Sequence, residues 1–97
     1  MEDEKFGIRK LIGKIAQNGR NKNYIVINRV TPFDTASTGF VDVRMFFTGP
    51  DDEIHPSQRG IRIYEDIAVD VVATILGALT HEELDAVLEK VARAARC

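Results

Sequence analysis

The sequence predicts an α+β chain of one domain: an antiparallel sheet over residues 10–63, a helix over 64–79 and a second helix over 80–97. Three observations carry this reading. Residues up to 63 hold short runs rich in β-branched and aromatic residues, separated by clusters of Gly, Pro, Asn and Asp. From Tyr64 onward the apolar period becomes helical. Thr80 and Glu83 then spell a capping box ahead of another apolar stripe.

Residues 1–9 are charged and are expected to form a flexible start. Over 6–17 two periods compete. Leu11, Ile12, Ile15 and Ala16 have helical spacing, whereas Leu11, Gly13 and Ile15 alternate as in a strand, and Gly7 and Gly13 weaken the helix. The segment NGRNKN, 18–23, reads as a hairpin turn with Arg20 and Lys22 at its tip. Tyr24 to Val30 is a strand with Tyr24, Val26 and Asn28 on one side and Ile25, Ile27 and Arg29 on the other. A polar connection over 31–39 holds Pro32 and Phe33.

The run FVDVRMFF, 40–47, is a half-buried strand in which Asp42 and Arg44 alternate with Val41, Val43 and Met45. Adjacent strand residues point to opposite sides, so one of Phe46 and Phe47 faces away from any core unless a bulge or a second subunit covers it. An exposed ring beside arginines suits a surface that stacks nucleobases and follows phosphates without reading sequence. A turn at Gly49, Pro50, Asp51 and Asp52 follows, then an irregular segment bracketed by Pro56 and Gly60, then a strand through Ile61 and Ile63.

In the next segment Glu65 and Asp66 favour a helix start, and Ile67, Ala68, Val71, Val72, Ile75 and Leu79 form one apolar stripe. Val69, Ala73 and Leu76 lie off that stripe, so the helix needs cover on more than one side, for which a homodimer is the natural solution. The β-branched run 67–75 leaves a buried strand as the alternative. The helix begun by the capping box continues through Leu84, Val87, Leu88, Val91 and Ala95. It is expected to pack on its own subunit, to wrap a dimer or to dock a partner protein.

Net charge is −2, but it is unevenly spread. Residues 5–44 carry eight basic against two acidic side chains, whereas residues 64–97 carry three against seven. No run is apolar enough to span a bilayer or act as a signal peptide, so no membrane role and an intracellular location are expected. Cys97 is the sole cysteine and is expected to be a free tail thiol. Neither His55 nor His81 has neighbours at metal or triad spacing, and Asp51, Asp52 and Glu53 read as a solvated turn. No phosphate-cradling glycine motif occurs. A non-catalytic chain without metal or cofactor is expected.

The stretch DVRMFFTGPDDEIHPSQRGIRI, 42–63, with LIGKI and NYIVINRV upstream, resembles the C-terminal domain of the transcriptional coactivator positive cofactor four family and its bacterial and phage relatives. The likeness covers Lys10 to Leu79. That family has an Ile-Gly-Lys strand, a Tyr-rich strand, an acidic-Ile/Val-Arg strand ending in aromatics, an acidic turn, a Lys-Pro-x-x-Lys-Gly-Ile loop and a long helix. Here His55 stands where a basic residue usually precedes the loop proline, Gln58 takes one basic position, and Phe47 replaces a tryptophan or similar ring. Arg59 is left as the loop's only permanent charge.

The resemblance implies a strand from Lys10 to Asn18 and a curved four-stranded antiparallel sheet backed by the helix from Glu65 to Leu79, through which two copies form a homodimer. It also implies sequence-tolerant binding of single-stranded DNA in transcription regulation or in DNA replication and repair, and a DNA-associated location. Phosphate contacts would fall to Lys14, Arg20, Lys22, Arg29, Arg44, Arg59 and Arg62, with His55 able to gain charge nearby. Stacking would fall to Phe47, with Phe33 or Phe46, Val30 competing with Phe33 for its place. Alternation puts Arg44 and Phe47 on opposite faces, so the family arrangement needs a twist or bulge near Phe46. Arg44→Ala is expected to weaken oligonucleotide binding and flatten its salt dependence while leaving the melting temperature nearly unchanged. The alternatives are a protein-interaction module docking on transcription or replication machinery, and an RNA-binding protein.

Overall fold

In a computed structural model the chain is described over residues 6–17 and 23–96. Four strands, β1 (Gly7–Ala16), β2 (Asn23–Pro32), β3 (Phe40–Thr48) and β4 (Ile54–Tyr64), pair in sequence order as an antiparallel meander. Two helices follow, α1 (Ala68–Gly77) and α2 (His81–Arg96). The α+β class and the two-helix C-terminal half therefore stand. The helical period of 67–75 prevails over its β-branched propensity.

Local chemistry explains where the element ends differ from expectation. β1 starts at Gly7 and not at Lys10, because its pairing with β2 runs out to Gly7 opposite Pro32. It stops at Ala16, short of the expected Asn18, which lies outside the described residues with the rest of 18–22. β4 runs straight through the segment expected to be irregular. There, pairing jumps from Arg44 opposite Gly60 to Phe46 opposite Pro56, so residues 57–59 bulge against Met45 alone. Ser57 closes the bulge, its Oγ donating to the Met45 carbonyl at 2.7 Å and accepting from the Arg59 N–H at 3.0 Å. Pro56 is tolerated because β4 is an edge strand, with no ladder on its outer side to interrupt.

The turn between β3 and β4 is closed by the Gly49 N–H donating to the Glu53 carbonyl at 2.8 Å, with Asp52 in the left-handed region at φ 64°. α1 lacks the expected acidic cap. Glu65 accepts from Arg29 at 2.7 Å, its own N–H bonds to the Gly39 carbonyl, and Ile67 occupies the cap position with no side-chain bond. The capping box of α2 forms in both directions: Thr80 N–H donates to Glu83 Oε1 at 2.9 Å, and Glu83 N–H to Thr80 Oγ1 at 3.1 Å.

Strand alternation divides the sheet into two faces. Val26, Asn28 and Val30 on β2 and Phe40 and Asp42 on β3 share the first face, and all five are buried. Phe40 anchors that end, with the Phe6 ring centroid 6.0 Å away, the Tyr64 ring 5.5 Å away edge-on and the Arg62 guanidinium 4.7 Å above it. On the second face Ile25, Ile27, Val41, Val43 and Met45 are half-buried, Ile63 is buried, and Ile8, Ile15 and Ile61 are exposed. α1 does not lie across the sheet as the expected backing helix. Its appreciable packing is against β4, and none of its residues is buried. No described helix is long and apolar enough to cross a membrane.

Candidate nucleic-acid interface

Three cross-strand rows build the site on the first face. Leu11, Asn28, Asp42 and Arg62 form one row, Lys14, Val26, Arg44 and Gly60 the next, and Ala16, Tyr24, Phe46 and Pro56 the third. Lys14 joins this face because β1 carries its own irregularity. The pairing slips between Leu11 and Gly13, so the extra residue Ile12 reverses the strand's facing and puts Leu11 and Lys14 on the same side. Simple alternation would have grouped Leu11 with Gly13 and Ile15. Arg9, two residues before Leu11, comes to the same side.

Most of these side chains, joined by Ile54, line one groove of about 560 Å³ that touches all four strands, so the sheet is concave there. Arg9, Leu11 and Lys14 form one wall, Ile54, Pro56 and Arg62 the other, and Val26, Asn28, Asp42, Arg44 and Phe46 the floor. Its charge is organised by a carboxylate that is 1% exposed. Arg44 grips Asp42 with a fork, Nη2 to Oδ1 at 3.0 Å and Nε to Oδ2 at 3.2 Å, while its Nη1 donates to the Ser57 carbonyl at 3.1 Å. Arg9 Nη1 lies 3.6 Å from the same carboxylate. One buried acid thus sits among Arg9, Lys14, Arg44 and Arg62, and the groove keeps a positive balance.

Lys14 and Arg62 make no ion pair among the described residues, and each rests on an aromatic face. Lys14 Nζ is 5.2 Å from the Tyr24 centroid and Arg62 4.7 Å from that of Phe40. Their charges face the groove, and the rings limit how far the side chains wander. The arrangement can hold an anion chain along its walls and flat apolar groups on Phe46 and Pro56.

The residues singled out from the sequence divide by position. Lys14, Arg44, Phe46 and Arg62 come together in the groove. Arg29, Phe47 and His55 lie on the second face, where Arg29 is held by Glu65. Phe47 is 43% exposed there, 5.8 Å from the His55 ring, and His55 Nε2 contacts both oxygens of Asp51 at 2.9 Å. That contact, with the Glu53 N–H, holds the Asp51 carboxyl below its ordinary value. Phe33 stands exposed in the connection after β2, and Arg59 is exposed in the β4 bulge. Arg20 and Lys22 lie outside the described residues.

The bulge that the family arrangement required does exist near Phe46, but on β4. β3 stays in unbroken register with β2, so Phe46, and not Phe47, shares the face of Arg44. Arg9, Tyr24, Asn28 and the pairing role of Asp42 were missed from the sequence. Arg9 had a signal in its alternation with Leu11. Among the described residues no group of three or more His, Cys, Asp or Glu could hold a metal ion. No family model matches this chain, and neither a curated protein nor a solved structure matches it.

Proposed function

We propose that this chain is a sequence-tolerant single-stranded DNA-binding protein of the positive cofactor four type, acting as a homodimer in transcription regulation or in DNA replication and repair. The observation that carries the reading is the groove of the first face, where Arg9, Lys14 and Arg62 flank a floor that includes Phe46. Unpaired nucleic acid offers what such a groove takes: a line of phosphates for the walls and unstacked bases for the ring. Stacking on a ring and charge pairing with phosphates are both indifferent to base identity, which fits sequence tolerance. A wholly paired duplex hides its bases and gains nothing from Phe46.

The homodimer is supported by apolar surface that the single chain leaves open. Val69, Val72 and Ile75 on α1 and Ile8, Ile15 and Ile61 on the second face are each more than half exposed. Such a surface fits pairing through α1 about a twofold axis, with the grooves on the outer sides. The test of the site is amide and side-chain chemical-shift mapping with unlabelled oligothymidine. Shifts should concentrate at Lys14, Phe46 and Arg62; shifts confined to Phe47 and His55 would overturn the groove assignment.

A second reading, a protein-interaction module of the same fold, is favoured by one observation. Leu11, Val26, Ile54 and Pro56 make much of the lining apolar, and Arg44 is already engaged by Asp42. The groove would then take an apolar peptide segment with an acidic flank. RNA in place of DNA is separated by comparing oligonucleotides of one sequence with and without the 2′-hydroxyl.

A further inference from the structure

Among the described residues α2 makes no substantial packing contact with a strand or with α1. Leu84 and Val87 are only half-buried, while Leu88 and Val91 are 54% and 59% exposed along the same stripe. A helix of 16 residues is barely longer than those that are marginal alone in water, and helices in proteins draw most of their stability from packing an apolar face. The stripe therefore asks for a partner surface, and the charge order along the helix says which. Glu82, Glu83, Asp85 and Glu89 all precede Lys90, Arg93 and Arg96. A parallel copy would set acids against acids and bases against bases; an antiparallel copy sets the acidic half against the basic half and opposes the helix dipoles.

We propose that α2 pairs antiparallel with α2 of a second copy, with the twofold axis passing between Val87 and Leu88. Leu84 then lies opposite Val91 of the second copy, and Val87 opposite its Leu88. Leu84 and Val91, seven residues apart, repeat at the spacing of a coiled-coil seam. Glu83 and Lys90, on one flank of the stripe, come to face Lys90 and Glu83 of the second copy. The Glu89–Arg93 pair falls on the far side of the helix and is undisturbed. A seam of this length, about 16 Å from Leu84 to Ala95, reinforces a dimer without holding one alone. The inference rests on the two-copy reading above but concerns a separate contact and can fail separately.

The test is homotypic disulfide formation in the full chain, with Cys97→Ser as background and Val87→Cys, Leu84→Cys or Ala94→Cys added singly. Antiparallel pairing leaves Val87 close to its own copy, whereas Leu84 and Ala94 are about 10 and 20 Å from theirs along the axis, beyond the roughly 7 Å that a disulfide spans. The Val87→Cys chain should cross-link at least ten times faster than the other two, with Leu88→Cys as a second position beside the axis. Equal rates at all positions would indicate a parallel or random encounter and overturn the proposal. A dimer in sedimentation that still binds a single strand, yet cross-links at neither Val87→Cys nor Leu88→Cys, overturns α2 pairing alone and leaves the α1 interface intact.

Discussion

Arg44 and Asp42, two residues apart on one face of β3, are joined through both carboxylate oxygens at 3.0 and 3.2 Å. The Asp42 side chain is 1% exposed and that of Arg44 21%. A charge that deep is tolerated only while it is paired, and removing one partner of such a pair costs about 3 kcal/mol or more. Arg44 is therefore part of what holds the groove floor together, against the expectation that its loss would leave melting unchanged. Arg44→Ala should lower the melting temperature by roughly 10 °C or more at this chain length, measured by scanning calorimetry. Asp42→Leu combined with Arg44→Met should cost less than the sum of the two single replacements. An unshifted melting temperature in Arg44→Ala would show that Arg9, 3.6 Å away, compensates Asp42 unaided.

The two faces of the sheet should respond differently to mutation. Lys14→Ala and Arg62→Ala should each weaken single-strand binding several-fold and flatten the salt dependence by about 0.7 in slope. Phe46→Ala should cost about 1 to 3 kcal/mol if a base stacks on it. Phe47→Ala, on the opposite face, should bind nearly as the parent does. Polarisation titrations at three salt concentrations check the ranking, and the reverse order of Phe46 and Phe47 would move the site to the other face.

Gly60 is fixed by close approach. A Cβ there would meet the Val43 carbonyl oxygen at 2.7 Å and Arg44 Cα at 2.9 Å, backbone atoms that cannot swing aside. Gly60→Ala should push β4 off β3 beside the bulge, destabilise the chain by about 1 to 3 kcal/mol and loosen the Ser57 contact to Arg44. Urea denaturation measures the first effect. Faster exchange of the Arg59 amide, which donates to Ser57 Oγ, reports the second.

Glu83 offers a test of the α2 cap by pH. The Thr80 backbone N–H, then its hydroxyl, holds the Glu83 carboxyl below its ordinary 4.5. A value depressed by folding means that the ionised form favours the folded cap. The contribution is complete above about pH 4.5 and is lost as pH falls through the lowered value. Carbon-detected titration should place the Glu83 midpoint below 4.5, and Thr80→Ala should raise it toward that value. A midpoint at the ordinary 4.5 in the parent chain would mean that the cap does not persist in solution.

The legible parts of the sequence were those whose signals are local. The capping box of α2, the helical period of α1 and the alternation of β2 and β3 each state their geometry within a few residues, and each is present. What escaped reading depends on the neighbour strand. The slip at Ile12 turns Lys14 toward the groove, and nothing in LIGKI announces it, because one inserted residue reverses facing without altering composition. Pro56 and Gly60 read as loop punctuation, yet an edge strand with a bulge accommodates both. Asp42 looked like one polar tooth of an alternating strand; its burial needs Arg9 from β1 and Arg44 beside it. The Glu65 cap failed for a related reason, since Arg29, 36 residues away, takes its carboxylate.

The central claim is that the concave face receives an unpaired strand, and the direct measurement is a polarisation titration of a labelled 20-base single strand against the same sequence as duplex. If about three phosphates are neutralised by Arg9, Lys14 and Arg62, log affinity should fall against log salt with a slope near −2 for the single strand. The single strand should bind at least ten times more tightly than the duplex, with Lys14→Ala/Arg62→Ala removing most of that difference. Equal affinity for both forms, or no saturable binding of the single strand at low salt, would contradict the account.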